Sequence, residues 1–166
     1  MYKIEIANTQ DHLPIDEALL KEVAGKTFEK ERVAAASVSI ALVDNDAIRE
    51  LNKRYLDHDD VTDVLSFLLE CESGTSPSQQ SQEGEGPSLR GAGKRIEGEV
   101  VISAETAVQR AKEFRWTPQE ELVLYLVHGL LHLVGYDDRS PMERRLMRQR
   151  ERSIMLVVSC QLAVVR

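Results

Sequence analysis

Apolar positions recur with a period of two at two places along the chain. Tyr2, Ile4 and Ile6 are separated by Lys3 and Glu5, and Val38, Ile40 and Leu42 by Ser39 and Ala41. Val64-Leu65-Ser66-Phe67-Leu68 and Glu99-Val100-Val101-Ile102 read as two further strands. Between them the spacing lengthens to that of a helix. Leu19, Leu20, Val23 and Phe28 follow Asp16, and Ile48 and Leu51 follow Asn45, each polar residue being the expected N-cap. Ala104, Ala107, Val108, Ala111 and Phe114 mark a third amphipathic helix. Thr117-Pro118-Gln119-Glu120 is a capping box with proline at the first helical position, and Leu122 to Val134 is apolar almost all round, as in a buried helix. Ser140-Pro141-Met142-Glu143 repeats the capping pattern and opens a last helix, whose end from Ile154 on is unusually apolar. The pattern predicts one α/β (α+β) domain over residues 1–166. A small mixed sheet of four strands would carry about five helices, with the Leu122–Val134 helix packed centrally.

One stretch breaks the pattern. Between Cys71 and Lys94 the chain is rich in Ser, Gly, Gln and Glu and almost without apolar residues. It cannot bury enough surface to offset its ordering entropy, so residues 71–94 are expected to form a disordered insertion between two strands.

Composition changes this picture little: 42% hydrophobic and 30% charged residues are ordinary for a soluble domain of 166 residues. Met1-Tyr2-Lys3-Ile4-Glu5-Ile6 has no apolar signal region, and no apolar run approaches the ~20 residues that span a bilayer. A cytoplasmic location with no membrane partner is expected. Cys71 and Cys160 form no metal knuckle and read as reduced thiols. The net charge of −7 gives no general attraction for nucleic acid. Arg139, Arg144, Arg145, Arg148, Arg150 and Arg152 nevertheless crowd one segment. Such a run is either a solvated helix face paired with Glu143 and Glu151 or a phosphate-binding strip.

Candidate chemistry lies just before that run. His128 and His132 are four apart on the buried helix and therefore share a face, one turn above each other. Burying two imidazoles without partners costs on the order of 1–3 kcal/mol each, and a divalent cation would satisfy both. Gly135 can end the helix, and Asp137 and Asp138 then return a carboxylate toward the histidines. Three protein ligands with an open position suit a catalytic metal. Gly129 occupies the place of the glutamate base in the H-E-x-x-H peptidases, so peptidase chemistry does not follow.

Three segments resemble the YbeY family of bacterial metal-dependent endoribonucleases. They are Leu51-Asn52-Lys53-Arg54-Tyr55 running into Thr62-Asp63-Val64-Leu65-Ser66-Phe67, then Gly98-Glu99-Val100-Val101-Ile102-Ser103, then His128 to Asp138. The last matches the family's H-G-x-L-H-L-x-G-Y-D-H in all but its final place. The resemblance implies a zinc-dependent hydrolase cleaving single-stranded RNA in ribosomal RNA maturation and ribosome quality control. Ribosomal RNA and the small ribosomal subunit or its proteins would be its partners. His128 and His132 would be catalytic metal ligands, Asp138 would stand for the family's third histidine, and Asp137 would orient a ligand. A carboxylate there hardens the donor set and admits iron(II) or manganese beside zinc. Leu56 stands where the family has an arginine thought to act at the phosphate. His58, Lys53 and Arg54 are the cationic or titratable side chains near that position, and Arg54, Arg139 and Arg144 are the candidates for RNA contact. Two other readings stay open: a ribosome-assembly binding factor with a structural metal, and a metal-dependent hydrolase of another substrate.

Overall fold

The computed structural model describes residues 1–73 and 89–164, with side chains to residue 159. Its element order is β1 (Tyr2–Asn8), α1 (Glu17–Lys30), β2 (Ala35–Val43), α2 (Asn45–Leu56), β3 (Val64–Glu72), β4 (Arg95–Ser103), α3 (Ala104–Phe114), α4 (Pro118–Val134) and α5 (Pro141–Val164). The described residues thus form five helices and one mixed sheet of order β1-β2-β4-β3. β1 and β4 run parallel to β2, and β3 lies antiparallel along β4 at one edge. No described helix is long and apolar enough to cross a membrane.

Period-two alternation divides the sheet into two faces. Leu65 and Val101 face α2 and form a small core with Val43 and Ile48. Val64 and Val100 face the other way, into the main core, where α4 lies against the sheet and also touches α1, α3 and α5. Gly129 makes this approach close. A Cβ there would stand 2.7 Å from Val100 Cγ1 and 2.9 Å from Val64 Cγ2, so only a residue without a side chain fits. The Ser66 hydroxyl donates to the Gly129 carbonyl at 2.8 Å and pins β3 to the same turn of α4.

Local chemistry sets the element ends. The Asp16 side chain accepts from Leu19 N–H, and the capping box of Thr117 and Glu120 is formed in full. At α2 the cap is Asp44, which accepts from Ala47 N–H, and not Asn45. Asn45 is drawn off by two hydroxyls, Ser103 and Thr106, which donate to its Oδ1 at 2.6 Å each. Phe114, expected to face inward, is exposed at the last turn of α3. The apolar tail of α5 is helix, burying Ile154 and Val158 against the main core while Leu156 faces outward.

Secondary structure within the described residues reaches further into the polar stretch than its composition suggests. Cys71, with a free and exposed thiol, and Glu72 extend β3 and pair with Ile96 and Arg95. Leu89 to Lys94 form a turn held to the rest of the fold: Arg90 forms two hydrogen bonds to the Glu143 carboxylate, and Lys94 donates to the Val134 carbonyl at 2.8 Å. The remainder of the expected insertion and the Cys160 side chain lie outside the described residues.

Candidate metal centre

Three segments converge on one end of α4. The helix supplies His128 and His132 from its last two turns. Gly135 ends it with φ of +116°, a left-handed conformation that glycine adopts without strain, and its N–H returns to the Leu131 and His132 carbonyls. The chain thereby reverses and sets Asp138 over the two imidazoles. Asp137 shapes this turn, its Oδ1 accepting from Asp138 N–H at 2.8 Å.

The two Nε2 atoms face each other at 3.1 Å, and Asp138 Oδ2 lies 3.7 Å from each. Ligands at about 2.05 Å from a tetrahedral cation are about 3.3 Å apart, so this triangle has the dimensions of a metal-binding face. The opposite ring nitrogens decide what the Nε2 atoms offer. His132 Nδ1 sits 3.1 Å from the Tyr136 carbonyl and His128 Nδ1 sits 2.5 Å from Glu151 Oε1. Both partners only accept, so each Nδ1 carries the hydrogen and each Nε2 presents a lone pair. Two lone pairs opposed at 3.1 Å repel unless a proton or a cation lies between them. The donor set therefore fits a metal cation, with a carboxylate–histidine arrangement behind one ligand and a carbonyl–histidine arrangement behind the other.

Electrostatics divides the pair. Burial lowers the affinity of His128 for a proton, but the hydrogen bond and charge of Glu151, with Asp63 and Asp138, outweigh it and the net shift is upward from 6.5. His132 is pushed below 6.5, by burial first and then by the charge of His128. The proton of the metal-free pair accordingly resides on His128. A cation must displace it, so metal affinity should rise as pH climbs through the raised titration of His128. Affinity should fall about tenfold per unit on the acid side. Zinc competition titrations across about pH 5.5 to 8 check this, and a flat profile would contradict the assignment of His128 as ligand.

The site opens into a cleft of about 460 Å³ lined by β3 residues Val64 to Ser66 and Leu68, by Leu56, Thr62 and Asp63, and by His128, His132, Leu133 and Asp137 to Arg139. The loop before β3 is built for this. Asp57 ends α2 with φ of +57°, Asn52 donates to the Asp60 carbonyl at 3.0 Å, and Arg49 pairs with Asp59 at 2.8 Å. Leu56 and Asp63 are thus held on the wall facing the histidines. Asp63, Asp137 and Asp138 bring three carboxylates to the cleft: Arg110 lies 3.8 Å from Asp63, and Arg139, whose side chain is 90% exposed, lies 3.6 Å from Asp137.

The structure brings His128, His132 and Asp138 together, with Asp137 beside them and Arg139 on the rim. Arg144 donates to the Asp138 carbonyl at 3.4 Å. Arg54 stacks on the Tyr55 ring at 5.6 Å and does not line the cleft. The arginine run is neither a single strip nor paired as expected: Glu143 bonds Arg90, Glu151 holds His128, and Arg150 is sunk against Glu31. Glu151 is the residue that sequence reasoning missed. It lies 23 positions from His128, and the only signal for it is the general rule that a ligating histidine has an acceptor behind it.

A protein-family model described as Endoribonuclease YbeY matches residues 5–159. A Salinibacter ruber protein named Endoribonuclease YbeY is 41% identical over 137 residues, covering 82% of this chain and 80% of its own. One of the same name from Carboxydothermus hydrogenoformans is 38% identical over 153 residues, 91% of this chain and 94% of its own. The solution structure of a Thermotoga maritima protein superposes with a TM-score of 0.59 at 23% identity, over 99% of this chain and 93% of that one, which is a likeness of fold.

Proposed function

The chain belongs to the YbeY endoribonuclease family, and on that premise we propose that it hydrolyses phosphodiester bonds of single-stranded RNA with a divalent cation held by His128, His132 and Asp138. The observation that carries this reading is the triangle of donor atoms with edges of 3.1, 3.7 and 3.7 Å, both imidazoles being turned so that Nε2 faces inward. A cation bound there supplies Lewis-acid polarisation of a phosphoryl oxygen and activation of water. Zinc is the first candidate, and the Asp138 carboxylate admits iron(II) or manganese.

The chain's own residues prepare the site for an anion. Three carboxylates and one arginine line the cleft, with Arg110 3.8 Å from Asp63, so the lining without a metal is acidic and offers a phosphodiester little attraction. A divalent cation held at the triangle would offset that acidity, and RNA affinity should then depend on the metal. Arg139, exposed on the rim, is placed to meet the RNA backbone once the ion is bound. Leu56, Val64 and Leu68 form an apolar wall suited to an unstacked base, not to a phosphate. The substrate is ribosomal RNA during maturation and quality control, met at the small ribosomal subunit in the cytoplasm, and residues 1–166 act as one domain.

Asp138→Ala tests the assignment. Metal analysis of purified protein should give about one ion per chain, lost or sharply reduced in the variant, and cleavage of a labelled single-stranded RNA should fall with it. Full metal content in Asp138→Ala would remove Asp138 from the ligand set. A second reading, a ribosome-assembly factor whose metal only holds the fold, is favoured by Leu56, which puts no charge on the cleft wall. Metal-loaded protein that binds RNA without cutting it would select that reading.

A further inference from the structure

The two groups that orient the imidazoles, the Tyr136 carbonyl and the Glu151 carboxylate, lie on different segments, yet both trace to one side chain. Glu31, at the C-cap of α1, is fully buried. Its Oε2 accepts the Tyr136 hydroxyl at 2.7 Å, and its Oε1 accepts Arg150 Nε and Nη2 at 2.7 Å each.

We infer that Glu31 is a positioning residue of the metal centre, holding both outer partners of the histidines from behind. Tyr136 is fastened by its hydroxyl to Glu31 while its own carbonyl takes His132 Nδ1. Arg150 is fastened to the same carboxylate, and the next residue of α5 is Glu151, which takes His128 Nδ1. Adjacent residues of a helix point about 100° apart, so fixing the direction of Arg150 toward α1 fixes that of Glu151 toward α4. One carboxylate thus ties α5 and the turn after α4 to α1, and with them steadies the aim of both Nε2 atoms. Glu31 touches neither histidine. Its bonds reach Tyr136 across 105 positions and Arg150 across 119, and no motif spacing announces them.

The inference rests on the metal-site reading, and the test separates the two. Zinc dissociation constants and the visible spectrum of the cobalt(II) form are measured for the wild type, Tyr136→Phe, Glu31→Gln and the double variant. Ser153→Ala serves as the control, since it removes a different tie between α1 and α5, the Lys30 Nζ bond to Ser153 Oγ at 3.1 Å. Tyr136→Phe keeps the ring and the backbone carbonyl. It should weaken zinc binding about tenfold, within the range found for outer partners of metal ligands, and shift the cobalt spectrum. Glu31→Gln should weaken it at least as much, and the double variant should cost less than the product of the two, because both act through one contact. Ser153→Ala should leave affinity and spectrum unchanged. Zinc affinity in Tyr136→Phe within twofold of the wild type, with an unaltered cobalt spectrum, would overturn the inference even if Glu31→Gln fails to fold. A wild type that takes up neither ion would instead overturn the metal-site reading beneath it.

Discussion

His132→Ala should bind no zinc at concentrations that saturate the wild type and should cleave single-stranded RNA about three orders of magnitude more slowly, equivalent to about 4 kcal/mol of transition-state stabilisation. The substitution removes one of the three donors and leaves His128 and Asp138, which lie 3.7 Å apart, as a two-ligand remnant. It should not unfold the protein. Alanine is the best helix former, and α4 is held by its apolar side chains, with Leu126, Leu130 and Leu133 buried around the site. His128→Ala should behave alike in metal content and rate, while also releasing Glu151 from its bond. The measurement is metal stoichiometry and cleavage rate on proteins whose near-ultraviolet circular dichroism matches the wild type. Wild-type rates in either variant would place the chemistry elsewhere in the molecule.

Gly129→Ala should damage both stability and metal affinity. The added Cβ would meet Val100 Cγ1 at 2.7 Å, Val64 Cγ2 at 2.9 Å and Ser66 Oγ at 3.1 Å. Val100 is fully buried within β4 and has nowhere to go. Overpacking of this kind costs about 1–3 kcal/mol, against which alanine returns about 1 kcal/mol of helix propensity. The helix must lift from the sheet, and the Ser66 bond to the Gly129 carbonyl lengthens with it. His128 and His132 ride on that turn, so zinc affinity should fall together with stability. Thermal unfolding of the metal-free proteins should show a midpoint lower by roughly 5 °C. An unchanged midpoint and unchanged affinity would mean that the sheet yields where the packing says it cannot. The same crowding explains why this helix has no glutamate after its first histidine: any side chain at position 129 would run into Val100 and Val64.

The elements that could be read in advance are those whose signal is local. Period-two and period-3.6 patterns depend on neighbours within one turn or one pleat, and they located the strands and helices to within a few residues. The spacing of His128 and His132 is of the same kind, since residues four apart must share a helix face. Where local signals competed, reading failed. Asp44 and Asn45 are both good caps, and the choice was made by Ser103 and Thr106 arriving from another part of the chain. Glu143 and Glu151 looked like partners for nearby arginines, but Arg90 and His128 reached them first.

That α4 is a buried helix bearing two histidines on one face and ending at a glycine was legible in the amino acids alone, because helix period, capping and the left-handed turn at Gly135 are properties of short segments. Which nitrogen each histidine offers was fixed by the packed fold, because that depends on acceptors delivered from Tyr136 and Glu151. The packed fold also decided that one buried carboxylate on α1 stands behind both. Contacts between residues more than a hundred positions apart follow from how helices pack, and packing is set by the summed shape of the core, which no short segment contains.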